Sequence, residues 1–317
     1  MLLLLIGLIG LWIGTKAIIN GAIGVADRFN LSHSFVGVSI LAVGTDLPEV
    51  FVTVKASLLH LKGIESSGII TGNAIGSSIS QITLILGIAG LFLNFTMVKK
   101  DLLRDGIALL TSIILLFVFG IDNIITRFEG VILLVMYLLY YFILIKGNTE
   151  NTDNNFSGKE YSITTLVFFL LLGFLILIFS SHLVVQNAML IAEKWGVTQS
   201  FVGILIVGIG TSLPELAVSV GAAIRKSAGM SVGNIIGSNV FDGFIPIGLG
   251  GVISTTNMDN NLLKFDLPFL LAATLLVLIF LRTKRGISKL EAIILLSIFL
   301  LYIGMKLFYN EGINFIN

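Results

Sequence analysis

FVGVSILAVGTDLPEVFVTV at residues 35–54 recurs as FVGILIVGIGTSLPELAVSV at residues 201–220, an offset of 166. Both copies open on Phe-Val-Gly and share a Gly-Thr pair followed by Leu-Pro-Glu. Downstream, GNAIGSSISQ (72–81) recurs as GNIIGSNVFD (233–242) at an offset of 161. The connection behind the first motif is therefore five residues longer in the first half. A fainter echo upstream places Asp27-Arg28 opposite Glu193-Lys194.

The surroundings of these motifs are apolar. Of 317 residues, 56% are hydrophobic and 12% charged, against about 25% charged in an average soluble domain. The mean hydropathy of +1.04 excludes a soluble enzyme, a disordered chain and a nucleic-acid binder. Apolar windows fall at 2–25, 34–59, 68–95, 104–120, 128–146, 161–192, 200–224, 229–253, 264–282 and 287–308. A membrane helix needs about 20 such residues, so an all-α polytopic membrane protein of ten transmembrane helices is expected. The segment MLLLLIGLIGLWIG lacks the basic start and the cleavage site of a signal peptide, and reads as a retained first span. There is no cysteine, hence no disulfide, thiolate site or cysteine nucleophile.

One connection is long and polar, KGNTENTDNNFSGKEYS at 146–162. It divides the chain into a first five-helix repeat (1–146), a linker loop (147–160) and a second five-helix repeat (161–317). Five spans is an odd number, so the second copy enters the membrane from the opposite side. The repeats are then inverted, an architecture found in many secondary transporters. Arg28, Lys99, Lys100, Arg104, Lys146, Lys159, Arg225, Lys226, Arg282, Lys284, Arg285 and Lys289 gather on one side, against Lys55, Lys62, Arg127, Lys194, Lys264 and Lys306 on the other. With Lys16 left aside inside the first helix, the positive-inside rule puts the 146–162 loop in the cytoplasm and both termini outside the plasma membrane.

Each half carries a glutamate directly after a proline, in Gly44-Thr45-Asp46-Leu47-Pro48-Glu49 and Gly210-Thr211-Ser212-Leu213-Pro214-Glu215. Proline removes a backbone donor and clashes with the preceding turn. The helix should break there and free carbonyls around Ala42–Thr45 and Gly208–Thr211. Such backbone is tolerated at membrane depth only where it is buried or lines a cavity. The alternative for a single motif is a plain kink; two matched copies argue against it. A carboxylate at mid-membrane costs about 2.5–3.5 kcal/mol. Glu49 and Glu215 have no Lys or Arg near that depth in their windows, which leaves cations or protons as partners. With Asp46 and Asp242, four carboxylates suit one divalent ion or a few monovalent ones. An oxygen-only donor set points to Ca²⁺, Mg²⁺, Mn²⁺, Na⁺ or H⁺.

The second motif adds neutral oxygens: Asn73, Ser77, Ser78 and Gln81, then Asn234, Ser238 and Asn239. Residues 73, 77 and 81 share a helical face, as do 234, 238 and 242. The serines could instead bond back to the preceding turn. The glycine pairs Gly72/Gly76 and Gly233/Gly237 read as close helix packing. His33, His60 and His182 lie outside both motifs and read as structural.

The paired GTDLPEV/GNAIGSSISQ and GTSLPEL/GNIIGSNVFD motifs resemble the two alpha-repeats of the cation/Ca²⁺ antiporter superfamily, in its prokaryotic sodium/calcium exchanger branch. The resemblance implies a transporter and not an enzyme, exchanging Na⁺ for Ca²⁺ by alternating access at the repeat interface, without a cofactor. It implies that Glu49 and Glu215 ligate Ca²⁺ and Na⁺, and that backbone oxygens of Thr45 and Thr211 complete the Ca²⁺ shell. Ser77, Ser212 and Ser238, with the backbone at Ala42 and Gly208, would serve flanking Na⁺ sites, and Asp242 the middle of the cluster. The first and sixth helices would slide as a pair. The partners implied are Ca²⁺, Na⁺ and the lipid bilayer, with H⁺ or K⁺ as further possibilities, around a monomeric transport unit. Asp46 departs from the family's serine, and Gln81 from its usual Asn or Asp. Ca²⁺/H⁺ antiport on the same scaffold is the alternative reading. A channel is disfavoured because deep paired binding slows release, and an intramembrane hydrolase because nothing specifies its substrate.

Overall fold

The computed structural model describes residues 2–64, 66–92, 99–147, 161–194, 212–284 and 287–314. They form ten helical segments: α1 (Leu2–Arg28), α2 (His33–Leu61), α3 (67–92), α4 (Lys99–Phe119), α5 (Arg127–Lys146), α6 (Ile163–Lys194), α7 (Leu213–Ile224), α8 (Ala228–Ser254), α9 (262–284) and α10 (Lys289–Asn314). Each of the ten apolar windows overlaps one of them. Eight of the described helices are long and apolar enough to cross a membrane. The window expected at 200–224 is described only over α7, and residues 148–160 of the expected linker lie outside the described residues.

The polarity distribution is that of a membrane protein. Large apolar side chains such as Trp12, Phe51 and Phe128 point outward, 67%, 68% and 75% exposed, while the carboxylates of the motifs are fully buried. Two-residue strands β1 (Ile124–Ile125) and β2 (Thr256–Asn257) pair antiparallel and tie the approach to α5 to the exit from α8.

The halves interlock through their repeated helices. Gly233 and Gly237 bring α8 against the start of α2: an added Cβ would meet Ser34 O at 2.6 Å and Val38 Cα at 2.8 Å, respectively. Close helix approach at this pair is thus as expected. Gly72 and Gly76 meet nothing within 4 Å among the described residues. Their counterparts of Gly37 and Val38 are Gly203 and Ile204, which lie outside the described residues. Further along, Gly87 of α3 abuts Ala292 and Leu296 of α10, and Gly248 of α8 abuts Gly130 and Leu134 of α5. These contacts are repeat equivalents, so each half lays its second-motif helix against the last helix of the other.

The outer helices repeat too. Thr126 caps α5 in a capping box with Glu129, and Ser288 with Glu291 forms the same arrangement at α10. Tyr140 of α5 donates to Asp105 of α4 at 3.0 Å, and Tyr302 of α10 donates to Asp266 of α9 at 2.7 Å. The chain is therefore an all-helical membrane protein built from two inverted five-helix repeats. α1 and α6 stand together, with Gly14 against Gly173 and Leu177, and Gly21 against Leu166 and Leu170.

Candidate functional site

The first motif builds its site by interrupting α2. Its helical pieces are His33–Val36, a π turn Gly37–Leu41, Ala42–Thr45 and Leu47–Leu61. The π turn sends the Ala42 N–H back to Gly37 O; such one-turn insertions often accompany functional positions. Pro48 has no N–H to give Gly44, and the Glu49 N–H turns to Asp46 O at 3.1 Å rather than to Thr45. Asp46 lies between the pieces at φ −85°, ψ 2°. Its repeat equivalent Ser212 has φ −89°, ψ 12°, with Pro214 in the same place. Glu49 and Glu215 consequently stand in the first turn of a new helix, where N–H dipoles favour a carboxylate.

One expectation is corrected. The Ala42 carbonyl is not freed by the break, because it accepts the Asp46 N–H at 3.0 Å and the Thr45 hydroxyl at 3.2 Å. The helix opens two residues later, at Gly44 and Thr45, because that is where the proline removes a donor. Gly208 and Thr211 lie outside the described residues.

Carboxylate oxygens of Asp46, Glu49 and Glu215 gather within 4.8 Å of one another. All three residues and Asp242 are 0% exposed. Among the described residues, both oxygens of Asp46, Glu49 and Glu215 and the Oδ1 of Asp242 have no hydrogen-bond partner. Nor does any described ion pair reach them: the cations Arg104 and Lys306 are engaged with Asp101, Asp105 and Asp266. Buried like charges at this spacing repel strongly in a low dielectric. The cluster therefore requires positive charge in the form of metal ions or protons. Hard oxygen donors in this number suit Ca²⁺ or Na⁺.

Around the carboxylates runs a neutral network that crosses between the halves. Gln81 Nε2 donates to Asp242 Oδ2 and to Ser77 Oγ, each at 3.0 Å. Asn239 Nδ2 donates to Gln81 Oε1 at 2.8 Å. The Ser77 and Ser212 hydroxyls are 3.0 Å apart, and Ser80 lies 3.2 Å from Ser212. Ser238 and Thr45 are fully buried, the Ser238 hydroxyl having no partner among the described residues. Asn234 instead donates to Ser219 of α7 at 2.9 Å, and Asn73 is only half-buried. The structure thus brings together Asp46, Glu49, Glu215, Asp242, Gln81, Ser77 and Ser212, and holds Asn234 in helix packing.

Two features are not among the residues that the motifs single out. Ser80 lies on the next face from 73/77/81 and enters by donating to Ser77 O at 2.9 Å and through its contact with Ser212. Thr53 and Ser57 continue the Glu49 face at four-residue steps, and both hydroxyls are buried without a partner among the described residues. That periodicity is a signal the sequence carries.

A family model described as sodium/calcium exchanger protein matches residues 1–146 and 165–308. The chain belongs to the sodium/calcium exchanger family. A membrane protein of Methanocaldococcus jannaschii is 30% identical over 95% of both chains. The sodium/calcium exchanger MaX1 of Methanosarcina acetivorans is 28% identical, covering 97% of this chain and 98% of its own. Among solved structures, the sodium-calcium exchanger NCX_Mj soaked with zero Na⁺ and Ca²⁺ superposes with a TM-score of 0.82 at 29% identity, over 95% of this chain and 97% of that one. The family transports Na⁺ and Ca²⁺ across membranes, and the described carboxylates of this chain's repeated motifs are all buried.

Proposed function

We propose that the protein is a Na⁺-driven Ca²⁺ antiporter of the plasma membrane. The observation that carries this reading is the convergence of Asp46, Glu49 and Glu215 within 4.8 Å, buried and without a neutralising side chain among the described residues. Glu49 and Glu215 share Ca²⁺ with backbone oxygens at Thr45 and Thr211. Ser77 and Ser212 on one flank, and their repeat equivalents Ser238 and Asp46 on the other, take Na⁺, with the backbone at Gly208 and Ala42 at the ends. The hydrogen bonds already accepted by the Ala42 carbonyl make it the weakest of these ligands. Asp242 and Gln81 hold the middle. Residues 1–146 and 161–317 are the two repeats, joined by a cytoplasmic linker at 147–160, with both termini outside. The glycine-lined seam between α1 and α6 supports their sliding as one unit to alternate access, within a single chain.

A carboxylate at position 46, where its repeat equivalent is Ser212, favours one competing reading. Asp46 adds a charge beside a Na⁺ position and can carry a proton in its place, which gives Ca²⁺/H⁺ antiport on the same scaffold. Radioactive Ca²⁺ uptake into proteoliposomes separates the two. Uptake into Na⁺-loaded vesicles that collapses when the Na⁺ gradient is dissipated is the expected result. Uptake driven by a pH gradient alone overturns it. On the Na⁺ reading, Asp46→Ser keeps Na⁺-driven uptake and alters its Na⁺ dependence; an unchanged dependence removes Asp46 from the site.

A further inference from the structure

Against Asp242, with neither Glu49 nor Glu215 in its lining, lies a small chamber of about 10 Å³. It is bounded by α3, α4, α8 and α9, and its polar lining comes from Ser78, Ser112, Asn239, Asp242 and Thr274. Two of these side chains have groups with nothing to bond. Asp242 and Thr274 are both 0% exposed, and Asp242 Oδ1 and Thr274 Oγ1 lack a partner among the described residues. Ser112 gives its hydrogen to Leu109 O at 2.8 Å, which leaves its oxygen able to accept. Gly243 also lines the chamber, and an added Cβ there would stand 2.6 Å from Ser112 Oγ.

A volume of about one water-sized sphere, polar and with two to four partners, is what a buried water needs. We propose that this chamber is a site for a single water molecule that bridges Asp242 Oδ1 to Thr274, and that Thr274 is thereby a positioning residue for Asp242. The water donates to Asp242 Oδ1 and to Ser112, and accepts from the Thr274 hydroxyl. Water fits better than a cation, because Asp242 is the only charge in the lining and already receives Gln81 Nε2 on its other oxygen. The arrangement holds the Asp242 carboxylate from both ends, by Gln81 of the first repeat in front and by α9 behind. Ion coordination in the middle of the cluster then depends on a helix that contributes no ligand. This role for Thr274 rests on the proposed exchange function; the water itself does not.

The test is a high-resolution crystal structure of the wild type and of Thr274→Val, with transport assayed on the same preparations. The wild type should show one solvent peak at roughly 2.7–3.0 Å from Asp242 Oδ1 and Thr274 Oγ1, and the valine variant none. Gly243→Ala, whose methyl would displace the Ser112 hydroxyl, should lose the peak as well. No wild-type peak, or one at the shorter distances of a metal–oxygen shell, overturns the proposal. In transport, Thr274→Val should raise the apparent KM for Ca²⁺ about tenfold, the loss of one hydrogen bond to a charged group, with turnover little changed. Thr274→Ser should restore it, and an unchanged KM in the valine variant overturns the positioning role. The wild-type density needs no transport activity and no substitution to be read. Failure of the exchange reading and failure of the water site therefore give different results.

Discussion

Gln81 and Asp242 are repeat equivalents, and they meet each other: the amide of the first donates to the carboxylate of the second at 3.0 Å. A residue and its own inverted copy can touch only on the pseudo-two-fold axis, which places this pair at the centre of the molecule. Glutamine is long enough to serve three partners at once, donating to Asp242 and Ser77 and accepting from Asn239. Gln81→Leu leaves buried partners unsatisfied and should lower Na⁺-driven Ca²⁺ uptake at least about tenfold. Gln81→Asn, one methylene shorter, should keep part of the activity. Uptake at wild-type rates in the leucine variant would remove the bridge from the mechanism.

Neutralising the central glutamates separates folding from function. Glu49→Gln or Glu215→Gln removes one of several converging charges while preserving shape, so the variants should purify as folded protein with undiminished thermal stability. Ca²⁺ flux should vanish in both, measured as tracer uptake in proteoliposomes. Wild-type transport in either variant excludes that glutamate as an ion ligand.

The sequence makes the centre legible and the periphery less so, for a physical reason. Ligands and prolines are constrained by chemistry, so residues 35–54 and 201–220 keep recognisable identity. The outer helices need only pack apolar surface against lipid and against each other, which many residue types do equally well. Their repetition survives in isolated polar positions: Thr126 and Glu129 against Ser288 and Glu291, Asp105 and Tyr140 against Asp266 and Tyr302. The capping boxes are readable as Thr-x-x-Glu and Ser-x-x-Glu before an apolar run. The Asp–Tyr pairs are not, because nothing in a single helix shows which neighbour an aspartate faces. The Ala42 carbonyl departs from expectation for a similar reason. Proline fixes which donor is lost, but the Thr45 hydroxyl that also reaches back to Ala42 is a rotamer choice.

Those Asp–Tyr pairs carry a cation each, and this sets their energetics. Arg104 binds Asp105 at 2.6 Å, and Lys306 reaches Asp266 at 2.7 Å. Breaking a buried ion pair by removing one partner costs about 3–5 kcal/mol. Asp105→Ala and Asp266→Ala should each lower the thermal unfolding temperature in detergent, while the protein that remains folded retains its apparent KM for Ca²⁺. A changed KM with unchanged stability would move these pairs from scaffold to transport path.

Phe174 of α6 rests against Gly44, two residues before Asp46 in the broken helix, so closely that a Cβ there would run into its ring. Glycine at 44 is thus required by the approach of the neighbouring helix as well as by the break. If α6 slides with α1 during transport, this ring passes directly over the opened backbone that carries the first repeat's ligands. Gly44→Ala should then block transport by holding α6 away from α2, without touching any carboxylate. Phe174→Ala in the same chain removes the obstructing ring and should restore a measurable fraction of Na⁺-driven Ca²⁺ uptake, while Phe174→Ala alone leaves the ligands intact and should transport. Absence of rescue in the double variant, with both proteins folded by thermal unfolding, would show that Gly44 is needed for its backbone conformation and that Phe174 does not govern access to the site.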